Sequence, residues 1–503
     1  MKSTQPTPPR SFDAASAAAT RIRFQDAMDQ IRRYLAFRAA EQEIPAPEEH
    51  PLARGGSLQL RQPLREPPPA ASFAAVRNWY GFPSGGGFRP PLTRPDFLPD
   101  FLGTGRDPLR FRAGRRTPVP LPLDQVAGRV LAQEIRADRD QPPFPRATRD
   151  GFACRAAEAN THRFLLLTGR IRAGQPIVGN LEPGEAWEIM TGAPLPPGAD
   201  AVLMVEHCEQ SSNCVRLVDA RTVTVGENIV PQAAEAHAGD LLVPVGVRLG
   251  ASQVSIAAQN GYRELSVAPR PRVAILTTGD ELVPVDQRPG PSQIRNSNAS
   301  MLAALVTALD GEPLILPAAA DHAAVLDESL RQAMTADLLL ISGGISVGRF
   351  DLVEESLTRA GARFFFGGVA IQPGKPVAFG QLPRADSAGH AQPLPFLALP
   401  GNPISSTVTF HLFGGPLIAG LAEDSEPGPR FALAQLTGEW RGRAGLTRFL
   451  PASCDFSACP QVRLVPWQSS GDLAALARSN CFVAIDENAE SVADGSIVPI
   501  LLA

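Results

Sequence analysis

The sequence predicts a multi-domain α/β-plus-β protein built around a doubly wound parallel sheet. Three observations predict it. Between Pro269 and Leu421, short apolar runs alternate with helical segments, the pattern of a parallel sheet covered by helices on both faces. Residues 146–268 and 429–503 instead carry short apolar runs separated by Gly/Pro turns, which read as β-rich units. The length, 503 residues, suits three or four domains at roughly 100–200 residues each.

The elements follow in chain order. The polar, Pro-containing start reads as disordered. A helix is expected over 13–43, and its apolar stripe of Phe24, Ala27, Met28, Ile31, Tyr34 and Leu35 at 3–4 spacing opens the folded part at residue 24. Residues 44–120 hold 15 prolines in 77 residues and read as an insertion or linker over 44–119. A helix is expected over 123–134. Short strands follow at 164–167, 201–205 and 241–244, a β-rich unit carried on a mixed one. In the α/β region, strands are expected at 273–276, 314–316, 338–341, 364–366 and 396–399. Helices are expected at 299–309, 323–334, 352–360 and 404–421, and residues 384–394 read as a hairpin loop. The last 75 residues suit a small β-barrel or sandwich.

Composition excludes several functions. A net charge of −4 gives no global positive field for nucleic acid or an anionic membrane. Apolar runs such as 338–341 fall short of the ~20 residues of a membrane helix, and the first 25 residues show no secretory h-region. Six scattered cysteines without a CxxC pair argue against a zinc site or a disulfide framework, so a reducing cytoplasm is expected. Lysine occurs only at Lys2 and Lys375 among 47 basic residues. The interior lysine, between Pro373-Gly374 and Pro376, therefore stands where arginine has not replaced it. A compact ammonium on a stiffened backbone suits a small tetrahedral oxyanion.

Three Gly-rich segments follow three expected strands: 277–281 (TTGDE), 342–351 (SGGISVGRFD) and 400–406 (PGNPISS). In an open parallel sheet, ligands bind beyond the carboxyl ends of the strands, so these distant loops should meet at one edge. The 342–348 loop offers backbone N–H groups, two serine hydroxyls and a following helix N-terminus, the parts of a phosphate cradle. A tight strand-to-helix turn without ligand is the alternative. Asp280, Glu281 and Asp351 bring carboxylates toward that anion. Mg²⁺ between them and a phosphate would relieve the repulsion, while helix capping also suits Asp280 and Asp351.

Together the segments RDGFA (149–153), IMTGAPLPPGAD (189–200), GEN (226–228), TGDEL (278–282), QIRNSN (293–298), SGGISVG (342–348), PGKP (373–376) and LPGNP (399–403) resemble the molybdopterin molybdenumtransferase family, molybdenum insertases related to the gephyrin E domain. The resemblance runs from about Pro120 to the C-terminus. It implies a first domain split into 24–152, carrying the insertion, and 231–268. It further implies an inserted β domain at 153–230, an α/β molybdopterin-binding domain at 269–423 and a C-terminal β-barrel domain at 424–503.

The resemblance also implies a reaction: molybdenum passes from molybdate to adenylylated molybdopterin, with divalent metal, and AMP leaves. Carried over residue by residue, Asp150 and Thr191 match the family's polar motif positions. Glu281 and Asp351, with Asp321, match acids at the nucleotide and metal site. Thr278, Gly279 and Asp280, and Ser342, Gly343, Gly344, Ser346 and Gly348, match the substrate loops. Lys375, Pro400, Gly401, Asn402, Pro403 and Ser405 match the region near molybdate. A homodimer is implied, with Asp150 and Thr191 acting across its interface. Molybdopterin adenylyltransferase and molybdoenzyme apoproteins are the implied partners. The chain departs from the family pattern at Gln372, where a lysine is usual, at Asn296, where an aspartate is usual, at Ala320, where an acidic pair is reduced to Asp321, at 233–235 and at 446–451. Besides an active insertase, these departures leave a second reading, a divergent paralogue that binds molybdopterin species as a chaperone or scaffold.

Overall fold

A computed structural model gives the fold and describes residues 22–40, 117–218, 221–320, 322–344, 352–385 and 392–503. The expected disordered start, the Pro-rich stretch as far as residue 116, Asp321, Ser346, Gly348 and Asp351 lie outside the described residues.

The helix expected near the N-terminus is α1 (Phe24–Ala40). All six residues of its apolar stripe are buried. Its place differs from the one implied by the resemblance. Phe24 packs on Phe413 and Phe449 at 6.1 and 5.6 Å between ring centroids. Tyr34 packs on Phe365 and Phe379 at 5.4 and 5.2 Å. Its apolar face thus joins the core of the α/β domain, where the complementary aromatic surface lies, rather than that of the first domain.

The first domain is built from two separated stretches. Val119–Pro122 pairs antiparallel with Glu264–Val267, and Ile135–Arg136 with Leu241–Val243. Val126, Leu131, Ile135, Leu249 and Leu265 fill its core. The helix expected over 123–134 is a single 3-10 turn, Leu123–Gln125. Gly128 at φ +80 reverses the chain, and Val130 and Leu131 bridge instead to Arg248 and Val267. Long-range pairing outweighs helical spacing here. The helix Ala251–Gln259 was not anticipated. The inserted β domain is a six-stranded sheet spanning Gly151–Cys154 to Cys214–Leu217, with one helix, Ala156–His162, that the turn-rich sequence did not announce.

The α/β domain runs β1 (Arg272–Thr277), α2 (Ser297–Ala308), β2 (Glu312–Ile315), α3 (Ala323–Ala333), β3 (Leu338–Ser342), α4 (Leu352–Arg359), β4 (Arg363–Gly367), β5 (Ala378–Leu382), β6 (Leu394–Leu399) and α5 (Pro403–Leu421). Its sheet order is β2-β1-β3-β6-β5-β4. Successive residues of β1 and β3 face opposite cores. Ile275 and Leu340 meet α1, α2 and α5, and Ala274 and Leu339 meet α3 and α4, which makes the sheet doubly wound. Only the neighbours β2–β1, β1–β3 and β3–β6 pair in parallel. Strand β5, absent from the sequence reading, runs antiparallel to both β6 and β4. A hairpin can join only antiparallel strands, and a strand buried on both faces reads as a plain apolar run in either direction. The 19-residue α5 is apolar enough to cross a membrane by composition, and it is mostly buried in this core.

The C-terminal domain settles the barrel-or-sandwich alternative. Strands β7 (Phe431–Thr437), β8 (Thr447–Cys454), β9 (Gln461–Leu464), β10 (Cys481–Ile485) and β11 (Ile497–Leu502) pair in the closed circuit β8-β9-β7-β11-β10-β8, a five-stranded barrel. The first and α/β domains are joined by a charge network. Asp310 accepts from Arg270 Nε on one oxygen at 2.7 Å and forms an ion pair through the other with Arg129, whose Nε lies 2.8 Å away.

Candidate functional site

Strands β1, β3 and β6 are parallel neighbours with β3 in the middle, so their carboxyl ends share one edge. The three Gly-rich turns meet there. Thr278 N donates to Ser342 O at 3.1 Å, and Gly343 N donates to Leu399 O at 3.2 Å. Asn298, in the first turn of α2, ties the second turn to the third: its Nδ2 donates to Ser342 Oγ at 2.9 Å and to Gly401 O at 2.7 Å.

These turns floor a cleft of about 740 Å³, within the ~300–1,000 Å³ usual for small-molecule sites. Glycine is required at its base. Gly343 sits at φ +100, and a Cβ there would lie 2.6 Å from Thr278 O. Without that Cβ, the β1 and β3 turns close together and their backbone stays open to an anion.

The structure gathers most of the expected residues on the cleft wall: Thr278, Gly279, Glu281, Ser342, Gly343, Gly344, Pro400, Gly401, Asn402 and Pro403. Asp280 is exposed beside the cleft. Ser405 is buried inside α5, where its carbonyl accepts from Thr409 Oγ1 at 2.8 Å. Lys375 is half-buried in a turn whose next residue, Pro376, lines the cleft. Gly374 sets that turn against α5, since a Cβ there would meet Thr409 Cγ2 at 2.6 Å.

Asp150 and Thr191 lie apart, on the exposed edge of the β domain. The Thr191 amide and hydroxyl both donate to Asp150 Oδ1, at 2.6 and 2.7 Å. These two bonds, the amide's first, hold the Asp150 carboxyl below its usual pKa, so it stays ionised and oriented.

Several lining residues were not singled out as site residues: Ile294, Arg295, Asn296, Ser297, Asn298, Gly471 and Leu473. The QIRNSN motif signalled the first five. Asn296 caps α2, accepting from Ala299 N at 3.2 Å, and its Nδ2 donates to Thr277 Oγ1 at 2.8 Å. Nothing in the sequence signalled Gly471 and Leu473, which come from the barrel domain. They reach the cleft because Asn402 Nδ2 donates to Ser470 Oγ at 2.8 Å and Ile404 N to Ser470 O at 3.0 Å.

Among the described residues, no group of three or more His, Cys, Asp or Glu side chains converges. Glu281 is the one carboxylate lining the described cleft, and Arg295 the one cation. Two buried oxygens on this wall, Thr278 Oγ1 and Asn298 Oδ1, have no hydrogen-bond partner. The cleft is therefore an oxygen-rich, nearly neutral cavity with unsatisfied groups, suited to a polar ligand.

Comparison with known proteins identifies the relatives of this arrangement. Family models match residues 105–261 (MoeA N-terminal region, domain I and II), 274–420 (probable molybdopterin binding domain) and 434–503 (MoeA C-terminal region, domain IV). A molybdopterin molybdenumtransferase of Synechocystis sp. is 32% identical over 383 residues, covering 75% of this chain and 93% of the relative. One of Bacillus subtilis is 32% identical over 391 residues, covering 76% and 88%. The crystal structure of a molybdopterin biosynthesis MoeA protein from Pyrococcus horikoshii OT3 aligns with TM-score 0.64 at 26% identity, covering 76% of this chain and 94% of that one.

Proposed function

The chain belongs to the molybdopterin molybdenumtransferase family and acts in molybdenum cofactor biosynthesis by molybdenum insertion; from this premise we propose how its residues divide the work. Adenylylated molybdopterin lies in the cleft with its phosphate against the β3 turn. Ser342 donates its hydroxyl and Gly344 its backbone amide to the phosphate, while Gly343, whose amide is taken by Leu399 O, keeps the floor of the cleft open; the family resemblance adds Ser346 and Gly348 to this set. Thr278 and Gly279 continue the same wall, joined to the β3 turn through Thr278 N and Ser342 O, and Asp280 holds the mouth of that turn. Molybdate enters on the side of Pro400, Gly401, Asn402 and Pro403, with Ser405 behind them, and the Lys375 ammonium neutralises its charge.

Glu281, with Asp351 and Asp321 as the family resemblance implies, would hold Mg²⁺, which when bound would supply charge neutralisation at the phosphoanhydride. The orphaned oxygens of Thr278 and Asn298 support an occupant rich in polar groups. Water attacks the phosphoanhydride, the P–O bond to the other phosphate breaks, and AMP leaves while molybdopterin keeps its own phosphate. Asp150 and Thr191 lie off the cleft wall, exposed and preset by their own hydrogen bonds. We place them at the cleft of a second copy in a homodimer. Molybdopterin adenylyltransferase supplies the substrate and molybdoenzyme apoproteins receive the product, all in the cytoplasm.

One observation carries this reading: three glycine turns, distant in sequence, form one cleft clasped by Asn298. Purified chain given adenylylated molybdopterin, Mg²⁺ and molybdate is expected to release AMP and yield cofactor that reconstitutes a molybdoenzyme apoprotein. Binding of the substrate with neither product would favour the scaffold reading instead.

A further inference from the structure

Asn298 is locked in one orientation. A backbone carbonyl only accepts, so the face of the amide 2.7 Å from Gly401 O must be its nitrogen. The same nitrogen donates to Ser342 Oγ at 2.9 Å, which frees the Ser342 hydroxyl proton for the cleft. Oδ1 is thereby fixed on the other side, buried and without a donor. Beyond Ser342, the Thr278 hydroxyl is likewise buried and unpartnered, and its backbone N is bonded to Ser342 O. An acceptor and a hydroxyl, both buried and without partners, thus lie in the wall next to one serine.

A fully ionised phosphate can satisfy the hydroxyls, but it has no proton for Asn298 Oδ1, and two acceptors face to face repel. The acceptor therefore needs a ligand O–H or N–H. In a nucleotide, the group bonded to the phosphate is the ribose. Its hydroxyls both donate and accept, which matches this pair.

We infer that Asn298 is a specificity-determining residue that accepts a hydrogen bond from a ribose hydroxyl of the nucleotide, with Thr278 and Ser342 donating to the phosphate beside it. This rests on the cleft being the nucleotide site.

The test measures binding of AMP, 2′-deoxy-AMP, 3′-deoxy-AMP and inosine monophosphate to the full chain, wild type and Asn298→Ala, by calorimetry with and without Mg²⁺. The wild type is expected to prefer AMP over one of the deoxy analogues by roughly tenfold, the scale of one lost hydrogen bond to a buried acceptor. In Asn298→Ala that ratio should fall to about one. Because it is a ratio within one protein, a general loosening of the variant does not mimic it. An unchanged ratio in Asn298→Ala, or equal binding of AMP and both deoxy analogues by the wild type, overturns the inference. An Asn298-dependent preference for AMP over inosine monophosphate reassigns the donor to the adenine amine and also overturns it, as does discrimination that appears only with Mg²⁺. A wild-type chain that binds no AMP at all fails the proposed nucleotide cleft itself, an outcome distinct from loss of the ribose preference.

Discussion

Arg448, on barrel strand β8, donates through Nη1 to the side-chain oxygen of Gln372, directly beside it in the strand pairing of Ile371–Gln372 with β8. The same guanidinium lies 5.8 Å from the Trp440 ring centroid and donates to Arg443 O. A neutral acceptor at 372 thus lets the barrel's cation sit against the Lys375 turn.

Gln372→Lys is expected to disrupt this contact. An ammonium would replace the acceptor and face a like charge, costing about 1 kcal/mol in a partly exposed site. Thermal unfolding should show a lowered first transition at low ionic strength, with much of the loss recovered at 0.5 M salt, the regime of about a 4 Å screening length. Equal transitions at both salt concentrations would count against the electrostatic account.

Lys375→Arg tests why this lysine stands alone among the described residues. Arginine keeps the charge but is larger and planar, and Gly374 already packs closely on Thr409. We expect the molybdate concentration for half-maximal AMP release to rise about tenfold, with AMP binding preserved. An unaltered molybdate dependence refutes the role given to the lysine.

Gly343→Ala should injure the cleft more than a glycine change elsewhere. The new methyl meets the Thr278 carbonyl, which is backbone, at a positive φ. The combined strain and clash is expected to cost ~2–3 kcal/mol and to open the β1 and β3 turns. Gly174→Ala, at φ +80 with nothing within 4 Å, should show only about 1 kcal/mol of backbone strain. Denaturation curves and AMP titrations of the two variants make the comparison, and equal effects would show that the close approach at Gly343 does not matter.

His411 makes acid stability predictable. It sits in the π-helical turn Phe410–Gly414 of α5, with Nε2 buried and unpartnered, and burial pushes its pKa from 6.5 down to about 4. The unfolded chain therefore takes up this proton at higher pH than the folded one. Its contribution is intact above pH ~6.5 and is lost as pH falls toward ~4. His411→Leu should flatten the decline of stability over that window. An identical pH profile in the variant would show that the ring is not held neutral.

Arg129→Ala should be among the most damaging single changes at the domain junction. The arginine side chain is 9% exposed, forms an ion pair with Asp310 at 2.8 Å and donates to Ala268 O at 2.7 Å. Its loss leaves a part-buried carboxylate with one partner fewer, a change that costs ~3 kcal/mol or more. Arg136→Ala, removing an exposed pair with Glu134, should leave the unfolding transition within error. Similar shifts for both would mean the junction network contributes little.

Much of this molecule was legible from periodicity and punctuation. The four-residue apolar run at 338–341 had to be a strand buried on both sides, and it is fully buried. The six-residue stripe of α1 had to be one covered face. The glycine turns had to lie at the ends of strands, and parallel pairing then brought them to one edge. The motifs carried the family because each is a short stretch of backbone with its own local geometry.

The tertiary structure decided which partners those local pieces found. It seated α1 on the α/β core, turned β5 antiparallel, closed five strands into a barrel and replaced the expected helix at 123–134 with a bend at Gly128. It also brought Gly471 and Leu473 into a cleft otherwise made by another domain, and it fixed the orientation of the Asn298 amide. A sequence records which face of an element must leave water, because that depends on neighbours a few residues away. It does not record what covers that face, because many apolar surfaces can, and only packing of the whole chain, with every buried polar group satisfied, selects one.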